Sequence, residues 1–394
     1  MSLIDELKRI QPEMTEWRRD IHQHPETAFE EERTADKVAG LLEDFGLEVH
    51  RGLAKTGVVG TLKAGTGNRA IGLRADMDAL DLHELNEFDH RSVNDGKMHA
   101  CGHDGHTAML LGAARYLSAN PEFDGTVHFI FQPAEENLAG GRVMVDEGLF
   151  ERFPVEAVYG MHNWPGLPVG RFAACVGPMM ASADFFELKL TGRGGHGAFP
   201  HLSRDPVLAA AHIITAWQSI VSRNTDPMKA AVISATQIES GFTGNVIPET
   251  AVIRGTTRTF DEKVQDMVET RMGELARSLA EGFGMQADFR YDRRYAPTVN
   301  SPEEFGHAME AARALVGDQN VDDHLVPVMG AEDFGWMLRA RPGCYVFVGN
   351  GEGQQGGCEV HNPNYDFNDD TLPVGAAYWA QLVQMQLPAD RAAG

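Results

Sequence analysis

The chain has 394 residues, 43% hydrophobic and 23% charged, a mix that excludes a disordered or fibrous protein and suffices for two packed cores. Its 57 acidic and 34 basic side chains leave a net charge of -23, which repels phosphate backbones and anionic lipid surfaces and so argues against nucleic acid or membrane as partners. The opening MSLIDELKRIQPEMTEWRRD is too charged for a signal peptide or membrane helix, and Cys101, Cys175, Cys344 and Cys358 show no disulfide spacing, so a cytoplasmic protein with reduced thiols is expected.

From Glu13 to Leu47 the apolar spacing predicts helix, interrupted at Pro25-Glu26 and closed by Gly46 after TADKVAGLLEDFG. Short apolar runs then alternate with helical ones: RAIGLRA near 69–75, the helix HTAMLLGAARYLSA at 106–119, TVHFIFQ at 126–132 and VEAVYGM at 155–161. The same rhythm returns late in the helix SPEEFGHAMEAARALVG and the strand CYVFVGN. Such alternation predicts an α/β sheet with both faces covered.

Between them the order changes to strand 184–192, helix 205–222, two strands in AAVISATQIES and VIPETAVIRGTTRTF, helix 261–284 and strand MQADFRYDRRY. This β-α-β-β-α-β order is the split βαβ plan, which predicts a ferredoxin-like α+β module inserted into the α/β domain. The expected domains are 1–180 with 296–394, and the insertion 181–295.

Ligands in open α/β sheets gather beyond the carboxyl ends of the strands, and that is where the reactive residues fall. The strand at 69–75 runs into Asp76 and Asp78, the strand at 126–132 into Glu135 and Glu136, and the strand at 155–161 into His162, while CYVFVGN precedes a glycine-rich loop ending in His361. The stretch HACGHDGH, containing Cys101 and His103, sits just before a helix, where the helix dipole favours a thiolate. A thiolate, imidazoles and a carboxylate together suit zinc, manganese, nickel or cobalt rather than calcium or magnesium. Five donors exceed one tetrahedral site with an open water position, which predicts a pair of ions about 3.5–4 Å apart. Of the adjacent Glu135 and Glu136, one can bind metal while the other moves a proton. His83, His90, His99 and His106 read as supporting or surface residues.

Several long motifs then resemble one family over almost the whole chain: WRRDIHQHPETAFEE, GLRADMDAL, KMHACGHDGHTAMLLGAA, FIFQPAEE, YGMHNWPG, GRGGHGAFPH, GNVIPE, MGAEDF and HNPNYDFND. They resemble the M20 metallopeptidases, in the amidohydrolase branch of hippurate hydrolases, aminoacylase-like enzymes and auxin-conjugate hydrolases. The resemblance implies a zinc-peptidase-like catalytic domain with a mixed central sheet, and a lid and dimerisation role for the insertion. It implies that Cys101, His103, Glu136, His162 and His361 hold two divalent transition-metal ions (Mn²⁺, Zn²⁺, Ni²⁺ or Co²⁺). It further implies that Glu135 is the general base, drawing a proton from the attacking water and passing it to the leaving amine.

The wider family takes a ligand from a His-x-Asp pair where this sequence has Asp76-x-Asp78, a departure that bears on the second ion. From the inserted module, His196 is implied to reach the active site of a partner in a homodimer or higher homo-oligomer and to donate to the oxyanion. Asn245 and Arg258 are implied to hold the substrate carboxylate. Arg254, on the same strand face as Arg258, is a rival. The implied activity is hydrolysis of a small-molecule N-acyl amino acid, with a dipeptidase or carboxypeptidase as the alternative.

Overall fold

The computed structural model describes residues 2–354 and 356–389. The described residues form two compact units: one takes those within 2–179, 299–326 and 333–389, and the other 180–298 with 327–332.

The larger unit is built on an eight-stranded sheet. In spatial order its strands are Glu48–Leu53, Gly57–Ala64, Gly125–Gln132, Ala70–Asp76, Ala157–Pro165, Gly343–Gly351, Phe172–Ala173 and Val321–Asp322. The sheet is mixed. Ala70–Asp76 runs parallel to both Gly125–Gln132 and Ala157–Pro165, and the latter runs parallel to Gly343–Gly351, whereas Glu48–Leu53 and Gly57–Ala64 form an antiparallel hairpin at one edge. Buried on both faces, the central strands are continuous apolar runs rather than alternating ones.

Several expected boundaries move: the smaller unit also takes in 327–332 and runs to 298, where 181–295 was expected. The strand predicted to stop at Met161 continues through Pro165, because its parallel pairing with Gly343–Gly351 carries on past it. His162 therefore lies within a strand, opposite Phe347, not beyond its end. The helix expected from His106 starts at His103, which puts His103 in its first turn. The helix Leu372–Gln386 escaped prediction because it is apolar on nearly every side, so it carries no amphipathic stripe to reveal it.

A buried ion cluster ties the N-terminal helix Gln11–Gln23 to His103–Ala119 and to the C-terminal loop. Fully buried Arg18 lies 3.3 Å from Asp104, 2.7 Å from Asp366 and 2.9 Å from Asp369. His22 lies 2.9 Å from Asp104 and 3.1 Å from Glu84. Burial disfavours the charge on His22, but hydrogen bonds to Asp104 and Glu84 prevail and raise it from 6.5 to about 9. A pKa raised by folding contributes stability in full below pH 6.5, and that contribution is lost as pH rises toward 9. Urea unfolding should accordingly show a fall of up to about 3 kcal/mol over this window, a fall that His22→Gln reduces. An equal fall in the variant would assign the slope to other groups.

The smaller unit is a four-stranded antiparallel sheet in the spatial order Ala231–Glu239, Thr250–Thr259, Ala183–Thr191, Gln286–Tyr295, with helices Pro206–Ser219 and Glu262–Gly282. Its connectivity is β-α-β-β-α-β. Phe186, Leu188, Ile213, Trp217, Ile253, Val268 and Met272 fill the space between sheet and helices, and the Trp217 indole donates to the Met272 carbonyl at 3.0 Å. Pro248, which has no N–H for a ladder, splits the expected strand 246–260 into Val246–Ile247 and Thr250–Thr259. The first piece pairs with Gly195–His196 in a separate ribbon.

Candidate active site

Backbone geometry at the start of helix His103–Ala119 places the first two donors. Cys101 and His103 flank Gly102, whose φ is +92° and whose Cβ, if it had one, would lie 2.2 Å from Asn163 Oδ1 and 2.5 Å from the Tyr365 hydroxyl. Only glycine fits there. His103 Nδ1 sits 2.9 Å from the Asp78 carbonyl and 3.2 Å from Asp78 Oδ1, so its N–H is committed to Asp78 and Nε2 carries the lone pair. His162 is fixed the same way: Nδ1 donates to the Asn163 carbonyl at 2.6 Å, and Nε2 lies 3.3 Å from Cys101 Sγ.

Glu135 and Glu136 open the short helix Glu135–Leu138, and the Glu136 N–H donates to Asp78 Oδ2 at 3.0 Å. His361, held at a left-handed φ of 62°, donates its N–H to the Ala100 carbonyl at 2.7 Å and brings Nε2 to 3.1 Å from Glu136 Oε1. Cys101, His103, Glu136, His162, His361 and Glu135 thus come together at one place in the larger unit. Cys101, His103 and His162 have ligand atoms within 4.8 Å of one another, as do Cys101, Glu136 and His361, so the two groups share the thiol. His103, Glu135 and Glu136 form a further group of this kind.

The donor set fits a transition metal. His103 Nε2 is buried without a hydrogen-bond partner among the described residues, a lone pair turned into the cluster. Burial, then the charges of Glu136, Glu135 and Asp76, push the Cys101 thiol well above its ordinary value, so a thiolate forms here only beside a cation. Burial holds His162 well below its ordinary value and therefore neutral, as a ligand must be. Burial also works against charge on His103, but Asp76, Asp78 and Glu136 outweigh it and raise the ring to about 10. Carboxylates that favour a proton on that ring favour a divalent cation in its place.

Around the donors lies a layer whose roles the sequence did not disclose. Arg74, wholly buried, reaches Asp76 at 2.7 Å, Asp333 at 3.1 Å and Gln132 at 2.8 Å. Gln132 and the Gly141 N–H also bond Asp333, at 2.8 and 2.7 Å, and the Asp333 N–H donates to Glu135 Oε1 at 3.3 Å. The signal was an arginine inside the apolar run RAIGLRA, since a buried guanidinium demands carboxylates. Asp76 also accepts from His106 Nδ1 at 2.6 Å, and His106 Nε2 accepts the Asn163 N–H at 3.0 Å. Asp76, His103 and His106 are close enough to form a ligand group, but these bonds occupy both nitrogens of His106. Asp76 and Asp78 here brace other side chains. Of the remaining histidines His99 is buried, His90 packs against Arg18 and Asp366, and His83 is exposed.

In the smaller unit, His196 pairs in register with Val246, and the Gly197 N–H donates to the Asn245 carbonyl at 2.8 Å, so His196 and Asn245 are neighbours on one ribbon. Both are exposed, and His196 Nδ1 accepts from the Ala198 N–H at 3.1 Å. Arg258 donates to the Thr256 hydroxyl and the Thr257 carbonyl. Arg254 is engaged by two carboxylates, Glu187 at 2.7 Å and Glu239 at 2.9 Å.

Three imidazoles, a thiol and a carboxylate beside a second glutamate, in a mixed α/β unit, are the parts of a hydrolytic enzyme of the metal-assisted class. The chain belongs to the peptidase family M20/M25/M40, whose model matches residues 72–385. It is 40% identical over 382 residues to the hippurate hydrolase of Campylobacter jejuni, covering 97% of this chain and 98% of that protein. It is 39% identical to the N-acetylcysteine deacetylase of Bacillus subtilis, covering 96% of this chain and 98% of that protein. Among solved structures, a dinuclear metal binding peptidase of the M20 family from Bacillus subtilis superposes with a TM-score of 0.84 at 35% identity, covering 96% of this chain and 99% of that one.

Proposed function

We propose that the chain hydrolyses the amide bond of N-acyl amino acids, N-acetyl and N-benzoyl among them, releasing the carboxylic acid and the amino acid at a centre of two divalent transition-metal ions. The observation that carries this reading is the pair of donor groups sharing Cys101, beside a glutamate that neither group uses. Cys101, His103, His162, Glu136 and His361 would hold the ions, with Cys101 the donor common to both groups. The similarity to a hippurate hydrolase and an N-acetylcysteine deacetylase, named for two different acyl groups, supports the substrate class.

When bound, the metal pair polarises the amide carbonyl and lowers the pKa of water. The chain's own residues do the rest. Asp78 and the Asn163 carbonyl orient His103 and His162 so that both present Nε2. Glu135, steadied by the Asp333 N–H, accepts the proton of the attacking water and returns it to the departing amine nitrogen. His196, exposed on its ribbon, is the group proposed to donate to the oxyanion in a neighbouring subunit of a homodimer, with residues 181–295 as lid and dimerisation domain.

Asn245 and Arg258 are assigned to the substrate carboxylate. The two glutamates on Arg254 support Arg258 over its rival, because a guanidinium already paired twice has little left to offer a ligand. Steady-state kinetics should show KM raised about 10- to 100-fold by Arg258→Ala and within about threefold of wild type for Arg254→Ala. The reverse ranking would transfer the role to Arg254.

Zn²⁺, Mn²⁺, Co²⁺ and Ni²⁺ all suit the donors. No helix among the described residues is long and apolar enough to cross a membrane. Four free cysteines suit the reducing cytoplasm that we propose as the setting. The direct test is a panel of N-acetyl and N-benzoyl amino acids and unblocked dipeptides, assayed with each metal for release of amine. Cleavage of the N-acyl compounds is expected. No release from any of them would end the proposal, and a clear preference for the dipeptides would replace it with a dipeptidase.

A further inference from the structure

Seven non-glycine residues among those described have left-handed backbone: Ala28, Phe29, Ala54, Lys55, Ala134, Ala139 and His361. Five of them lie in three segments, distant in sequence, that converge on one side chain. Glu31 is fully buried. Its Oε1 accepts from the Phe29 N–H at 3.1 Å and the Ala134 N–H at 3.0 Å, and its Oε2 accepts from the Thr56 hydroxyl at 2.7 Å.

Each of those loops is held in a conformation that a Cβ disfavours, so each needs an outside constraint to persist. A buried carboxyl group that accepts from three segments is such a constraint, since leaving buried donors unpaired is costly. The ordinary explanation for Glu31, capping the helix Glu32–Asp44 that it precedes, does not hold, because its side chain makes no capping hydrogen bond.

Ala134 is the consequential contact. It has φ 54° and ψ 41°, is completely buried, and stands between Pro133 and Glu135. Its two dihedrals set the direction in which the chain leaves strand Gly125–Gln132 and hence where Glu135 and Glu136 point. Downstream the segment is anchored by the Glu136 N–H on Asp78 and the Gly140 N–H on the Ala134 carbonyl, both at 3.0 Å. Upstream, Glu31 holds the residue itself.

We infer that Glu31 is a positioning residue for Glu135 and Glu136: by gripping the left-handed Ala134 through its N–H, together with the two loops at Phe29 and Thr56, it fixes the geometry of the proton-transfer and ligand pair without touching either. The catalytic part of this inference rests on the proposed hydrolysis, while the structural part stands apart from it.

The test uses the full chain loaded with Mn²⁺ and two readouts: steady-state turnover of N-benzoylglycine, and amide hydrogen exchange over residues 133–137. Glu31→Ala is expected to lower kcat at least about tenfold with KM within about threefold, since misplaced groups cost turnover more than binding. Exchange of the Ala134 amide should accelerate by about tenfold or more. Glu31→Gln should restore both to within about threefold, because its carbonyl oxygen can accept from Phe29 and Ala134 while its NH₂ donates to the Thr56 hydroxyl. Should Glu31→Ala fail to fold, Glu31→Asp, one methylene short with its charge retained, carries the same expectation at smaller size.

Wild-type protein inactive on N-benzoylglycine and every other N-acyl substrate would strike the proposed function, and the exchange measurement would still decide on Glu31. Wild-type exchange at Ala134 in Glu31→Ala would overturn the inference, as would Glu31→Gln as damaged as Glu31→Ala. So would loss of folded protein in both Glu31→Ala and Glu31→Asp, which would make Glu31 a stability residue only.

Discussion

Glu135→Gln is expected to lower kcat by about 10²- to 10⁴-fold, the range for losing a positioned proton carrier, while leaving the amount of bound metal unchanged. The reasoning is geometric. Cys101, His103, His162, Glu136 and His361 can supply two ligand groups without Glu135, so removing its charge leaves both intact. The glutamine keeps the side chain's shape and can still accept the Asp333 N–H that steadies Glu135 now, so the protein should fold and unfold as before. What it cannot do is take a proton. The competing possibility is built into the same structure, because His103, Glu135 and Glu136 also form a group close enough to hold an ion. Metal analysis separates the two: a variant that loses both metal and activity would make Glu135 a ligand, and one that keeps full activity would remove it from the mechanism.

Removing the metal should cost as much. Treatment with a chelator is expected to lower activity by about 10³-fold or more, since a Lewis acid at the carbonyl supplies several kcal/mol of transition-state stabilisation. Adding back Mn²⁺, Zn²⁺, Co²⁺ or Ni²⁺ should restore it. The same ions should raise the thermal midpoint, because anything that binds only the folded state stabilises it, by about 2.7 kcal/mol at a hundred times Kd. Cys101→Ala should lose most of both effects at once, since the thiol belongs to two of the three-residue groups, the one with His103 and His162 and the one with Glu136 and His361. His361→Ala should weaken one group only. Undiminished activity after exhaustive chelation would contradict a metal-dependent reaction, and full loading of Cys101→Ala with two ions would contradict Cys101 as a shared donor.

The sequence already carried much of the site. Glu135, Glu136 and His162 follow apolar runs at expected strand ends, while Cys101 and His103 stand just before an expected helix, so the strand-end rule together with the helix N-terminus brought them into one candidate set. His162 is inside its strand rather than beyond it, yet it sits near the carboxyl end with Nε2 3.3 Å from Cys101 Sγ. His361 was harder, since it follows a long glycine-rich loop, and its approach to Glu136 depends on a left-handed turn and a bond to Ala100. The buried helix Leu372–Gln386 was invisible for a different reason, having no polar face to mark a period.

The sequence by itself determined the chemistry available: one thiol, three imidazoles and two adjacent glutamates in motifs long enough to imply a family, on an α/β frame with a β-α-β-β-α-β segment. Residue type and local period are properties of short stretches, and short stretches can be read directly. Only the tertiary structure decided which neighbours each group has. It turned Asp76 and Asp78 into braces for His106, Arg74, His103 and Glu136, set Asp333 behind Glu135, and put Glu31 against Ala134 across more than a hundred residues of chain. Hydrogen bonds and charge pairs act over about 3 Å and are indifferent to separation in sequence, so nothing in the order of residues encodes them until the chain has folded.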